Sequence, residues 1–402
     1  MGNWKKTFAI IWTGQFMSIL SSSVVGYSII FWLSIKTGSA ETLAFACIAT
    51  FLPQALLGIV AGVYVHRWNK KWTMILADSF IALCTLALAI LFWIGNAQIT
   101  HIYILLACRS VGSAFHLPAM QSSVPLLAPE SELVRIAGIN QIIQSVCNIA
   151  APALGALLIG LTNMGNILLL DIAGAIAACT ALLFVTIPRV QKEGEEHHLI
   201  REIKESFSTI RSKRRLGWFF FFSIAAYFFI MPIAVLFPLM TLQHFKGDVF
   251  DMSLIEIAWG GGSLLGGALM GMRHYKVNKV ILINLMYIIL GLCFVASGLL
   301  SQDLFYLFAV FTAIAGCTGA VYNAMFIAVI QIQIDPKVLG RVLSLFYSLS
   351  LLPSIIGLLS TGFLAEQVGL TASFIVAGIM NCLIGICAFM VPGMKKLGKI
   401  EY

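Results

Sequence analysis

The chain has 402 residues, of which 60% are hydrophobic and 10% charged, and its mean hydropathy is +0.95; an ordinary soluble domain carries about 25% charged residues. A soluble single-core protein is excluded, and so is a porin-like barrel, because runs such as Thr73 to Ile94 are unbroken where barrel strands alternate over ~10 residues. The formal net charge of +8 therefore bears on which side of a membrane the cations lie, and not on nucleic acid.

Spans of ~20 residues in hydrocarbon have to be helical, since a helix satisfies its own backbone. Apolar segments fall at 7–35, 42–65, 73–95, 100–127, 133–161 and 165–187. After a charged stretch, 188–215, six more follow at 216–243, 252–272, 278–300, 303–333, 339–365 and 369–392. Lys5 and Lys6 before the first run resemble the start of a signal peptide, but the run is too long and lacks a small-residue cleavage site; it is expected to be retained. The reading is an all-α membrane protein of twelve transmembrane helices, with an N-terminal bundle over 1–187, a linker over 188–215 and a C-terminal bundle over 216–402. In the linker Leu199, Ile200, Ile203, Phe207 and Ile210 share one helical face, which predicts a short helix lying on the inner membrane surface.

Twelve spans put both termini on one side. That side collects 22 of the 25 Lys and Arg residues, leaving Lys36 and Lys246 opposite and Arg109 inside a span. Basic residues favour the cytoplasmic side, so both termini and the linker are expected there. Sliding the chain by 206 residues places Trp12 on Trp218, Arg67 on Arg273, Lys70 on Lys276 and Leu133-x-Arg135 on Leu339-x-Arg341. Parallel six-span halves are an architecture of secondary transporters.

The nine cysteines lie singly in apolar segments, without CxxC spacing or a histidine cluster, so neither a disulfide framework nor a metal site is expected, and no cofactor. A near match to a phosphate-binding loop at Gly393 to Ile400 lacks the final Ser or Thr and the following helix. With no nucleotide site, the energy source is expected to be a gradient; a separate ATP-binding partner protein stays open. The glycine-rich run from Gly260 to Gly271 reads as a close helix contact.

Ionisable groups inside spans are costly and are functional candidates by default. Arg109 cannot shed its charge and needs water, a carboxylate or carbonyls around it. His116 stands seven residues further along, on the same face. Glu256 and Asp171, each about one turn in from the outer side, are candidates for proton coupling, with His116 next. Asp78 is read as the ion-pair partner of the loop at Lys70 and Lys71. Gln15, Asn140, Gln141, Gln144, Asn148, Tyr322 and Asn323 interrupt apolar runs, and the spacing of Asn140, Gln144 and Asn148 makes a polar stripe; these, with Arg109, are candidates to line a substrate cavity.

The segment Gly62-Val-Tyr-Val-His66-Arg67-Trp-Asn69-Lys70-Lys71 resembles the signature loop of the major facilitator superfamily, with His66 in the acidic position and Asn69 in that of the second glycine. In the family this loop latches against the opposite half, and Asp78 stands near enough in sequence to supply the missing charge. Arg109-Ser-Val-Gly112 to His116-Leu-Pro118, Leu339-Gly-Arg341-Val, and Trp12-Thr-Gly-Gln15 are similar to the macrolide-efflux branch of its drug:proton antiporters. Ala151-Pro152-x-x-Gly155-Ala156 resembles the antiporter motif of span five, which implies that Pro152 and Gly155 form a small, kinked packing surface between the halves. The resemblance implies the major facilitator fold and a non-enzymatic exporter of macrolide-like amphipathic drugs, exchanged for protons by alternating access in a bacterial cell membrane. The competing readings are a lipid or lysolipid flippase, a siderophore exporter and, from another class, a non-transporting membrane receptor.

Overall fold

A computed structural model describes residues 4–129, 133–187, 214–272 and 277–334, and from 342 to 398 all but 343–345, 347, 348, 352, 361–364 and 366. Among them are eleven helices long and apolar enough to cross a membrane, and no strand. In chain order these are α1 (Trp4–Thr37), α2 (Ala40–Arg67), α3 (Lys70–Trp93), α4 (Ile99–Leu127), α5 (Leu133–Leu161) and α6 (Met164–Leu183). Then come α7 (Arg214–Leu239), α8 (Val249–Met272), α9 (Lys279–Leu299), α10 (Phe305–Gln333) and α11 (Leu370–Met390). The eleventh expected span, 339–365, lies largely outside the described residues, and its described part includes the apolar helix Leu349–Ser360. The linker helix expected around Ile203 lies outside them altogether. The large exposed side chains are Leu, Ile, Phe and Trp from nearly every helix, a surface suited to lipid and not to water.

Short polar residues fix where the helices begin. Asn69 accepts a hydrogen bond from the Trp72 N–H at the start of α3, Asn163 from Asn166 at α6, and Asn278 from Val280 and Ile281 at α9. Asp248 and Asp251 cap α8 reciprocally, each carboxylate accepting the other's backbone N–H. After α3 the chain reverses through Gly95, whose φ of +72° disfavours a side chain. Prolines lie inside α2, α5 and α7; after Pro238 the last turn of α7 widens into a π-helix, Met240–His244.

By contact the chain divides into two units, 1–36 with 45–197, and 37–44 with 198–402. In the first unit α3 packs against both α4 and α6. There α1 lies close on α5 and α6: a Cβ on Gly155 would stand 3.1 Å from Ser28 Oγ, and one on Gly14 2.6 Å from Ala181 Cβ. Gly155 thus makes a close contact with α1 of its own unit. In the second unit α9 packs on α10 and α11, and α8 on α10. The α8–α10 contact is backbone on backbone: a Cβ on Gly262, Gly266 or Gly316 would run into the carbonyl oxygens of Ala313, Cys317 and Trp259 respectively. That accounts for part of the glycine-rich run, whereas Gly261 and Gly267 face open space.

Gly316→Ala should therefore destabilise the protein by about 1–3 kcal/mol through overpacking. Gly261→Ala should be neutral or stabilise by up to about 1 kcal/mol, because alanine is the better helix former. Thermal melting of the purified protein in detergent reads both; equal melting points would mean that the two helices separate without cost.

Candidate functional site

The centre of the first unit is built around a side chain that must stay charged. Arg109, near the middle of α4, makes an ion pair with Asp171 of α6 through Nη1, and the two side chains are only 13% and 3% exposed. The same Nη1 donates to Thr85 Oγ1 of α3 at 2.5 Å, and the Thr85 hydroxyl lies 2.7 Å from Asp171 Oδ2. Ser22 of α1 donates to the other carboxylate oxygen. Four helices thus converge on a single charge pair in which every oxygen of the carboxylate has a donor. Next along α4, Ser110 sits beside Pro53 of α2, accepting from the Gln54 N–H at 3.1 Å and donating to the Thr50 carbonyl at 2.5 Å. Arg109 and Ser110 therefore tie α4 to α1, α2, α3 and α6.

Asp171 was expected near the outer interface; it is buried at 2% exposure and committed to Arg109. Asp78 also departs from expectation. It does not pair with Lys71, whose ammonium donates to the Leu183 and Val185 carbonyls at the end of α6, at 3.1 and 2.8 Å. Two turns of α3 put Asp78 about 10 Å from Lys71 along the axis, whereas a cation at the carbonyl end of α6 is well placed for the helix dipole. Asp78 faces His116 of α4 instead: Oδ1 is 3.3 Å from Nε2. The ring nitrogen is out of line for a hydrogen bond, and both Nε2 and Asp78 Oδ2 are buried without a partner. The side chains of Gly62, His66 and Arg67 lie outside the described residues, so the loop latch does too; Lys70 is buried.

The polar candidates separate into distinct environments. Gln15 is 1% exposed, and neither side-chain polar atom has a partner among the described residues. Asn140 accepts from Trp12 Nε1 at 2.6 Å, joining α5 to α1. Gln144 and Asn148 are exposed, and the Gln141 side chain lies outside the described residues. In the second unit the Tyr322 hydroxyl is buried and unpartnered while Asn323 is exposed. Glu256 is half-buried in α8 and makes no hydrogen bond or ion pair among the described residues; it shares a helical face with Ser263, whose hydroxyl donates to the Gly316 carbonyl of α10 at 3.1 Å. Three groups escaped the sequence reading: Ser22, Thr85, and the Ser223–Tyr287 hydrogen bond of 3.0 Å. The only hint of the first was the serine triplet 21–23 inside an apolar run.

Eleven apolar helices in two contact units, with a paired arginine in the interior of one, are the make-up of a secondary transporter. A profile of the Major Facilitator Superfamily matches residues 11–302, and the chain belongs to that family. It is 35% identical over 397 residues to macrolide efflux protein A of Streptococcus pyogenes, covering 98% of each chain. It is likewise 35% identical over 323 residues to macrolide efflux protein A of Enterococcus faecalis, covering 80% of this chain and all of that one. Among solved structures, a bacterial homolog of the human lysosomal transporter Spinster matches with a TM-score of 0.73 at 14% identity, covering 99% of this chain and 98% of that one; this likeness speaks to the fold.

Removing one member of a buried ion pair costs about 3–5 kcal/mol, because the other charge is left alone in an apolar interior. Asp171→Ala is expected to lower the melting temperature and the yield of folded protein. The double variant Arg109→Met with Asp171→Leu should recover much of the loss. A single variant as stable as the double would mean that Arg109 finds water when its partner is gone.

Proposed function

We propose that the protein is a secondary exporter of macrolide-like amphipathic drugs, driven by proton antiport through alternating access. It works in a bacterial cell membrane with both termini cytoplasmic. The likeness to macrolide efflux proteins along the whole of both chains carries the substrate class. The gradient-driven mechanism rests on the intramembrane charges: a saturated pair, Arg109–Asp171, and carboxylates without cations, of which Glu256 is the clearest. A group that exchanges protons must be able to change charge during the cycle. Asp171 accepts from three donors, while Glu256 has no such partner among the described residues and no Lys, Arg or His in α8–α11 beyond the first residue of α9. Glu256 is accordingly the coupling carboxylate of this reading, and Gln15, Asn140, Gln144, Asn148, Tyr322 and Asn323 are its cavity candidates. The drug's apolar body suits the many Phe and Met side chains of the spans.

Expression in a drug-sensitive host should lower erythromycin accumulation severalfold, and collapsing the proton gradient should restore it. Glu256→Gln should impair gradient-driven efflux at least tenfold while equilibrium erythromycin binding changes little. Accumulation unaffected by expression, with lysolipid moved instead, would replace this function with the flippase reading.

Orientation is checked separately. Reporters fused after Lys36 and Lys246 should read outside and one at Glu195 inside; a cytoplasmic signal at Lys246 would overturn the topology.

A further inference from the structure

The two charge clusters of the first unit differ in whether they are complete. Arg109 and Asp171 neutralise one another and are surrounded by hydroxyls. About 10 Å further in, one heptad along both α3 and α4, Asp78 and His116 form a pair that lacks something. With a neutral imidazole the pair carries one negative charge in an apolar setting, with Asp78 Oδ2 and His116 Nε2 both buried and unpartnered.

Among the described residues no side chain supplies the missing positive charge. On α3, Lys71 is engaged with the end of α6, and neither it nor Lys70 is within ion-pair distance of Asp78. From α6 the neighbouring titratable group is the Cys179 thiol, which interacts with Asp78 and sits 3.9 Å from Ser79 Oγ. α5 offers no ionisable group except cysteine from Ile136 to Leu161, the Arg135 side chain at its start lying outside the described residues, and α1 none from Thr7 to Ile35 apart from the Tyr27 phenol. On α4 itself Arg109 is taken, and His101 belongs to the capping of that helix at its far end. α2 carries His66 and Arg67 near its end, and Trp68, just beyond them, stacks on Phe115, the residue before His116, at 5.9 Å.

What completes the pair is a proton. We infer that Asp78 and His116 together form a second proton-binding site, distinct from Arg109–Asp171 and from Glu256, filled and emptied during drug exchange. This inference rests on the proton-antiport reading above. The step is a single proton transfer: a proton from water bonds to Nε2 or to a carboxylate oxygen, the pair goes from one negative charge to none, and on release the proton returns to water. One proton belongs to two residues, so the site is lost if either is removed. The stacking of Trp68 on Phe115 places the end of α2 beside the site.

The test uses the full-length protein purified in detergent. Protons released on adding erythromycin are counted with an indicator dye in weak buffer, and erythromycin binding is measured on the same samples. Asp78→Asn and His116→Gln should each lower the release by about one proton per drug bound, and the double variant by no more than either single. His116→Lys gives Asp78 a permanent cation, so it folds and binds drug, yet it should release as little as Asp78→Asn; a purely structural pair would leave its proton count unchanged. Should Asp78→Asn fail to fold, His116→Lys decides alone. Undiminished release in Asp78→Asn or His116→Lys with drug binding intact, or losses that add in the double variant, would overturn the inference and leave antiport standing. A wild-type protein that releases no proton with erythromycin would overturn antiport and this inference together.

Discussion

Hydrocarbon offers no hydrogen bonds, so a polar group in these spans that lacks a partner elsewhere in the chain is costly. Backbone groups meet the demand by staying helical, and many hydroxyls by bonding back to their own helix, as Ser28 does to Val24, Thr241 to Phe237 and Thr312 to Phe308. At a proline the helix cannot serve itself, and Ser110 of a neighbouring helix fills the gap in α2. Charge is the extreme case. A cation at the centre of a span costs about 2.5–3.5 kcal/mol on insertion scales, against about 0.5–1.5 kcal/mol gained from an ordinary hydrogen bond. A few hydroxyls alone do not offset Arg109; a carboxylate does, and the positions of α3, α4 and α6 follow from bringing Asp171 to it.

The same demand explains the departures within the signature loop. Asn69 stands where the family has glycine, and its side chain caps α3. Lys71 reaches across to the carbonyls that end α6. These two contacts bind the start of α3 to its own turn and to α6 without using an acidic residue in the loop. Asp78 is not engaged by Lys71 and faces His116. Its place in the sequence suggested a helper for the latch; its place in space makes it part of the interior of α3 and α4.

Helix positions were legible in the sequence because hydrophobicity and Asn, Gly and Pro punctuation act locally: 73–95 was expected for a helix found at Lys70–Trp93. Arg109 was legible as well, since an arginine that cannot be neutral has to be accounted for wherever it lies. Its partner was not. Asp171 is 62 residues away, and counting residues from a presumed membrane surface gives depth along a helix but not which neighbour covers the side chain. Ser22 and Thr85 were illegible for a different reason: hydroxyls in spans usually bond their own backbone, as the Thr85 hydroxyl is also placed to do with Ile81 at 2.9 Å, so nothing in their residue type marks those that turn to a charge.

The internal repeat sharpens what the charges are for. At the offset of 206 residues, Arg109, Thr85 and Asp171 correspond to Ala315, Gly291 and Ala377, and Asp78 and His116 to Asn284 and Tyr322. In the second unit the counterpart of the α3–α6 contact is α9 against α11, where Gly291 and Gly378 bring the two backbones together directly. One helix pair is closed by shape and its twin by charge. Shape does not respond to a proton, and neither Asn284 nor Tyr322, each with a buried unpartnered atom, carries a charge to exchange at neutral pH. A repeat that needed these groups only for packing would have no reason to differ at the four positions Arg109, Asp171, Asp78 and His116 in the same sense, from ionic or titratable to neutral at physiological pH. The paired charges at these positions thus belong to the first unit, and the proton sites proposed above fall on non-equivalent residues, since Glu256 is the counterpart of Thr50 and of none of them.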